Sequence, residues 1–267
     1  VASDFLAQVR RRKEERLRER PAAPPAADLD RLLADAPPVR PFAAALAARR
    51  PAIIGEVKRR SPSAGALAAV DDPGATAAAM VRGGAAAISV LTDAEHFGGC
   101  LRDLAGVRAL VDVPVLRKDF LIHPRDLAEA RLAGADAALL IVALLSAAEL
   151  GTMLAEAARL GLEALVEVHT REELTAALGA GAGLVGINNR NLHTLAVDRR
   201  TVLDLLPLVP PGITPVALSG YRGAEDLAEA RAAGVNAFLI GETLMRAGDP
   251  EEAVRGLVSA AAVGERR

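Results

Sequence analysis

Gly83-Gly84-Ala85-Ala86-Ala87-Ile88-Ser89-Val90-Leu91 decides how this chain folds, because its two halves obey different rules. The glycine pair ends a helical stretch, where a residue without Cβ meets no steric penalty in the left-handed conformation. The residues after it are apolar without a polar alternation, as in a strand buried on both faces. The same junction returns as Ala133-Gly134-Ala135-Asp136-Ala137-Ala138-Leu139-Leu140-Ile141 and as Ala233-Gly234-Val235-Asn236-Ala237-Phe238-Leu239-Ile240. A helix stop followed at once by a strand start, repeated along a chain, marks a modular β/α array.

Working outward, further strands are predicted over Ala52 to Lys58, Val113 to Lys118, Leu162 to Val168, Leu184 to Asn188 and Thr214 to Ser219, which makes eight. None can leave a face in water, so a parallel sheet covered by helices follows, and its economical closure is a (β/α)8 TIM barrel. An open doubly wound sheet is the rival, but no Gly-x-Gly-x-x-Gly turn follows the first strand. A chain of 267 residues suits one such barrel over 51–267, with 1–50 as an N-terminal helical extension packed on it in a single domain. In the extension, Phe5, Leu6, Val9 and Leu17 have helical spacing, and Pro21, Pro24 and Pro25 end the helix. A second short helix is predicted from Asp28 to Asp35. The basic run Arg10-Arg11-Arg12-Lys13 interleaves with Glu14, Glu15 and Glu19 and reads as a solvated helix face. These helices are expected to cap the barrel and edge its mouth.

Composition narrows the function classes. A net charge of −2 argues against electrostatic binding of nucleic acid or an anionic membrane. The only cysteine, Cys100, rules out an intramolecular disulfide framework and fits a reducing compartment. No apolar run has membrane-spanning length and the N-terminus lacks the apolar middle of a signal peptide, so a cytoplasmic location is the expectation.

Barrel enzymes carry their reacting groups at the C-terminal ends of the strands. The first strand ends in Glu56-Val57-Lys58-Arg59-Arg60-Ser61-Pro62-Ser63, where residues two apart share a face and put an acid beside a base. The third ends at Lys118, the fifth at Glu167 and the sixth in Asn188-Asn189-Arg190-Asn191. Each alone reads as a cap, a surface charge or a structural ion pair; their coincidence at matching strand ends points to one site. The last two strands end in Ser219-Gly220 and Gly241-Glu242-Thr243, in the loops where this fold binds phosphate. Phe97 and Phe120 fall just beyond the second and third strands and suit two roles equally, as walls for a planar ligand or as packing on the rim.

The segments Ile54 to Ser63, Ile88 to Thr92, Pro114 to Phe120, Leu165 to His169 and Gly186 to Leu192 together resemble the indole-3-glycerol-phosphate synthase family, over nearly the whole chain up to Gly241-Glu242-Thr243-Leu244-Met245-Arg246. The resemblance implies a lyase of tryptophan biosynthesis that uses no metal or organic cofactor. Its substrate would be a phosphorylated anthranilate derivative, and other tryptophan-pathway enzymes are the protein partners it would suggest. Lys118 would be the general acid, Glu167 its acid/base partner, and Glu56 and Lys58 would bind the substrate carboxylate or hydroxyls and assist dehydration. Asn188 would hold the reacting chain, with Phe97 and Phe120 flanking the anthranilate ring. Ser61, Ser219, Gly220, Gly241 and Glu242 would surround the phosphate, with Arg190 and Leu192 also among the binding residues.

One position departs from the family pattern. The seventh strand of the family ends Ser-Glu-Ser-Gly, whereas this chain has Ala217-Leu218-Ser219-Gly220. An apolar Leu218 in place of an active-site glutamate leaves Lys58 with one fewer counter-charge. It keeps two further readings open: an altered barrel with different proton-transfer chemistry, and a non-catalytic paralogue that binds a phosphorylated ligand.

Overall fold

The helix-ending glycines adopt the backbone that only their lack of a side chain makes easy: Gly84, Gly134 and Gly234 have φ of +107°, +92° and +107°. After each, an N–H reaches back to the helix just completed, from Ala85 to the Met80 carbonyl, Ala135 to Ala130 and Val235 to Ala230. These bonds satisfy carbonyls that the helix end would leave bare and aim the chain into the next strand. The computed structural model describes residues 5–20, 26–61, 65–66, 72–192 and 194–263.

Eight parallel strands form a closed barrel: β1 (Ala52–Val57), β2 (Ala87–Leu91), β3 (Val115–Lys118), β4 (Ala137–Ile141), β5 (Glu163–Val168), β6 (Leu184–Asn188), β7 (Thr214–Leu218) and β8 (Ala237–Ile240). Closure comes from β1 against β8, in register from Ala52 opposite Ala237 to Gly55 opposite Ile240. The predicted strand ends shift by small steps for local reasons. β3 starts at Val115, after a proline that has no N–H to give, and β7 stops at Leu218 because Ser219 turns to φ +62°.

Three helices precede the barrel: α1 (Phe5–Glu19), α2 (Ala26–Ala34) and α3 (Phe42–Ala47). α1 ends ahead of Pro21 as its sequence predicts. Its basic run is not merely a solvated face, and that expectation is corrected. Lys13 Nζ lies 3.0 Å from Asp93 Oδ2 and 2.5 Å from Asp119 Oδ1, both carboxylates being buried at the rim past β2 and β3. Arg10 pairs with Glu149 at 2.6 Å and also donates to the Leu144 carbonyl. α1 thus edges the mouth of the barrel.

α3, which has no sequence signature, stands at the opposite end. Its first N–H groups, Phe42 and Ala43, donate to the Glu163 carboxylate at the start of β5, and the Phe42 ring is fully buried. Nearby, Asp136 accepts from the N–H groups of Arg40 and Val115 and from Arg108 Nη1 at 2.6 Å. Burial works against both charges of that pair, raising the Asp136 carboxyl and lowering the Arg108 guanidinium from their ordinary values.

Candidate active site

Strand alternation carries the chemistry into the barrel mouth. There, Glu56, Lys58, Lys118, Glu167 and Asn188 line one cavity of about 1170 Å³. Lys58 Nζ donates to Glu56 Oε1 at 2.5 Å. Burial pushes the Glu56 carboxyl up, but the positive charges of Lys58, Lys118 and Arg190 outweigh it and hold the group below its ordinary range. Glu56 is therefore a carboxylate, and Lys58 already has its counter-charge.

Across the cavity, Lys118 Nζ stands 3.9 Å from Glu167 Oε2, while Asn188 Nδ2 donates to Glu167 Oε1 at 2.9 Å. Asn188 is itself oriented, because its Oδ1 accepts the Arg190 N–H at 2.9 Å. The Lys118–Glu167 contact is too long for a hydrogen bond. It leaves an ammonium and a carboxylate near each other with room for a reacting atom.

Gly241 explains how Glu56 and Lys58 are seated. A Cβ on this residue would collide with the Glu56 carboxylate and come 2.9 Å from Lys58 Nζ, so the pair lies directly on the glycine backbone. Gly241 opens the short helix Glu242–Arg246. Ser219 and Gly220, both with positive φ, turn the chain after β7, and a Cβ on Gly220 would come 2.8 Å from Val197. Ser219, Gly220, Gly241 and Glu242 all reach the same cavity, as do Arg190 and Leu192. The Ser61 backbone pairs with Gly65, and its side chain lies outside the described residues.

Phe97 and Phe120 line the cavity with ring centroids 6.2 Å apart, and Phe120 packs edge-on against Phe5 of α1 at 6.0 Å. The rings pack on the rim and turn an apolar face to the cavity. Leu218 is 1% exposed and extends over Gly186, where an added Cβ would come 2.8 Å from Leu218 Cδ1 and 3.3 Å from Leu165 Cδ1. The glycine makes space for the leucine.

Sequence reasoning missed the supports behind these groups. Asp119 follows Lys118 and accepts from Lys13, from Thr92 Oγ1 at 2.7 Å, from Arg117 at 3.0 Å and from the Phe120 N–H. Burial raises its carboxyl, and Lys13 and Arg117 more than reverse that. Asp119 thereby fixes the backbone from which Lys118 and Phe120 project. The only sequence signal was its position next to Lys118. Among the described residues, no group of three or more His, Cys, Asp or Glu side chains is arranged to hold a metal ion, and no helix is long and apolar enough to cross a membrane.

Comparison with known proteins bears on what this arrangement does. The structure of thiamine phosphate pyrophosphorylase from Pyrococcus furiosus is similar in fold, with a TM-score of 0.61 at 18% identity over 80% of this chain and 96% of that one. Residues 6–257 match the family described as indole-3-glycerol phosphate synthase. Relatives carrying that name include one from Parafrankia sp., 52% identical over 84% of this chain and 84% of its own. Another, from Nocardioides sp., is 49% identical over 96% of each chain.

Proposed function

The chain belongs to the indole-3-glycerol phosphate synthase family, carboxy-lyases of tryptophan biosynthesis, and we propose how its barrel mouth performs that reaction. The substrate is 1-(2-carboxyphenylamino)-1-deoxyribulose 5-phosphate. The ring carbon bearing the carboxylate attacks the ketone carbon while Lys118 gives a proton to the carbonyl oxygen. Loss of CO2 returns the bonding electrons to the ring. The new hydroxyl then leaves as water, and a proton lost from the adjacent position completes the indole.

The observation that carries this reading is the pair of ammonium–carboxylate contacts in one cavity, loose at 3.9 Å between Lys118 and Glu167 and tight at 2.5 Å between Lys58 and Glu56. The loose pair is free to trade protons with a substrate between its members. Glu167 is the acid/base partner, and Asn188 holds its carboxylate in place. The tight pair fixes the Lys58 ammonium in place, to bind the substrate carboxylate and to assist departure of water. Phe97 and Phe120 flank the anthranilate ring. The phosphate lies by the backbone of Ser219, Gly220, Gly241 and Glu242, in the loops that bind phosphate in this fold.

Leu218 is compatible with this chemistry, since neither proton-transfer pair depends on it. Turnover of the substrate, followed by indole fluorescence, tests the reading against a dark background because the chain has no tryptophan. Phosphate-ligand binding without appearance of indole would overturn it in favour of a binding protein.

A further inference from the structure

We infer that His169 is a positioning residue for Glu167: held by Glu173, its imidazole shares a proton with the Glu167 carboxylate from outside the cavity and keeps that carboxylate available to the substrate. The inference rests on the acid/base role proposed for Glu167.

His169 stands two residues past Glu167, just beyond β5, and is not among the residues lining the cavity. Its side chain is 9% exposed. Glu173, in the first turn of the helix Arg171–Gly179, accepts the His169 backbone N–H at 2.6 Å and lies 3.1 Å from Nδ1 of the ring. A carboxylate can only accept, so Nδ1 carries hydrogen and Nε2 is the ring nitrogen left to face the active site. Nε2 is 3.5 Å from Glu167 Oε1.

A neutral imidazole in that tautomer would aim a lone pair at a buried carboxylate oxygen. Nε2 of His169 is buried and has no hydrogen-bond partner among the described residues, and the same holds for Glu167 Oε2. Two acceptors facing each other out of water are unfavourable, whereas one proton between them turns the contact into a charge-assisted pair. That proton is carried by Nε2 as an imidazolium or by Oε1 as a carboxylic acid, with the same total charge in either case.

The surroundings favour the imidazolium. Burial lowers the tendency of His169 to hold its proton and Lys118 opposes it further, but the Glu173 hydrogen bond and the charges of Glu167 and Glu173 prevail, so the group is raised above its ordinary value. These are the charged groups acting on the ring from its own strand, from the helix after it and from β3. Glu167 is therefore bounded by Lys118 on the substrate side and His169 on the outer side, and the imidazolium keeps it a carboxylate able to take a proton from substrate.

The test compares kcat against pH for the parent, His169→Gln, Glu173→Gln and Glu167→Gln. Loss of the imidazolium makes protonation of Glu167 easier, so His169→Gln should move the acidic limb of kcat to higher pH by on the order of one unit, and Glu173→Gln should move it the same way by less. A purely structural role would scale kcat without moving the limb. Should His169→Gln fail to fold, Glu173→Gln carries the test, since its amide oxygen still accepts the backbone N–H. NMR of isotope-labelled histidine adds a readout independent of turnover: His169 should hold both ring protons at neutral pH in the parent and lose one at lower pH in Glu173→Gln. An unmoved acidic limb in the variants that fold, or a parental His169 already neutral at neutral pH, overturns the inference. Near-parental turnover by Glu167→Gln would instead overturn the role of Glu167 on which it rests.

Discussion

Lys118 meets Glu167 at 3.9 Å while Lys58 meets Glu56 at 2.5 Å, so the two ammonium groups of the mouth are not equally free to act. Lys118→Ala and Glu167→Gln should each lower kcat by ~10²–10⁴-fold, with an unchanged circular dichroism spectrum because both side chains project into the cavity. Near-parental turnover at saturating substrate by either variant would refute its assignment. Leu218→Glu should lower stability, by about 1–3 kcal/mol, since it would put a carboxylate where a buried leucine now packs over Gly186. A denaturation midpoint equal to the parent's would show that water reaches the position. The strand-end residues were legible because a period of two sends alternate side chains into the lumen. The supports were not. His169 depends on a carboxylate four residues on that reads equally well as helix surface, and Gly241 reads as a turn until Glu56 and Lys58 are seen lying on it.

At the scale of elements, α1 is fastened by charges to parts of the chain that follow it by more than seventy residues. Lys13 neutralises Asp93 and Asp119 together, and Lys13→Ala would leave two buried carboxylates without it. The variant should lose about 3 kcal/mol of stability and raise KM, because α1 carries Phe5 against Phe120; an unaltered urea midpoint would contradict this. The attachment should also yield to acid. Burial raises Asp93 and Asp119, but His96 and Lys13 on the one and Lys13 and Arg117 on the other hold both below the usual carboxylate range. The hydrogen bond from Arg10 holds Glu149 at about 2. A carboxyl depressed by folding contributes fully above its unfolded value and loses that contribution as pH falls through its folded one. Docking of α1 should thus weaken as pH drops from about 4.5 toward 2. Amide exchange in α1 should accelerate over that range ahead of the barrel strands, and simultaneous exchange would argue that α1 is not separately held. The charge run of α1 concealed this, since Arg and Glu at helical spacing look the same on a solvated face and on a docked one. α3 was illegible because Phe42–Ala47 is wholly apolar and its N-terminal acceptor, Glu163, is remote in sequence.

For the whole molecule, the barrel divides its work between its ends, with the proton-transfer pairs at one and the Asp136–Arg108 and Glu163–α3 contacts at the other. Asp136→Asn would leave Arg108 without its buried counter-charge and should cost about 3 kcal/mol, while kcat and KM stay at parental values at a temperature where the variant is folded. A fall in kcat matching the loss of stability would mean that the two ends are coupled. The closed barrel was legible from repetition, because the junctions at Gly84, Gly134 and Gly234 are copies of one unit and β strands buried on both faces need helices on the outside. Its sealing has a consequence for biosynthesis. β1 pairs with β8, the strand made last, so during translation the partner of Ala52 to Gly55 does not yet exist. Until residues 237–240 have left the ribosome, the growing sheet has two bare edges, at β1 and at β7, each able to recruit a strand from another nascent chain. Seven-eighths of the barrel can gather as it is synthesised, but the seam that removes those edges, and brings Gly241 under Glu56 and Lys58, forms only once β8 has been made.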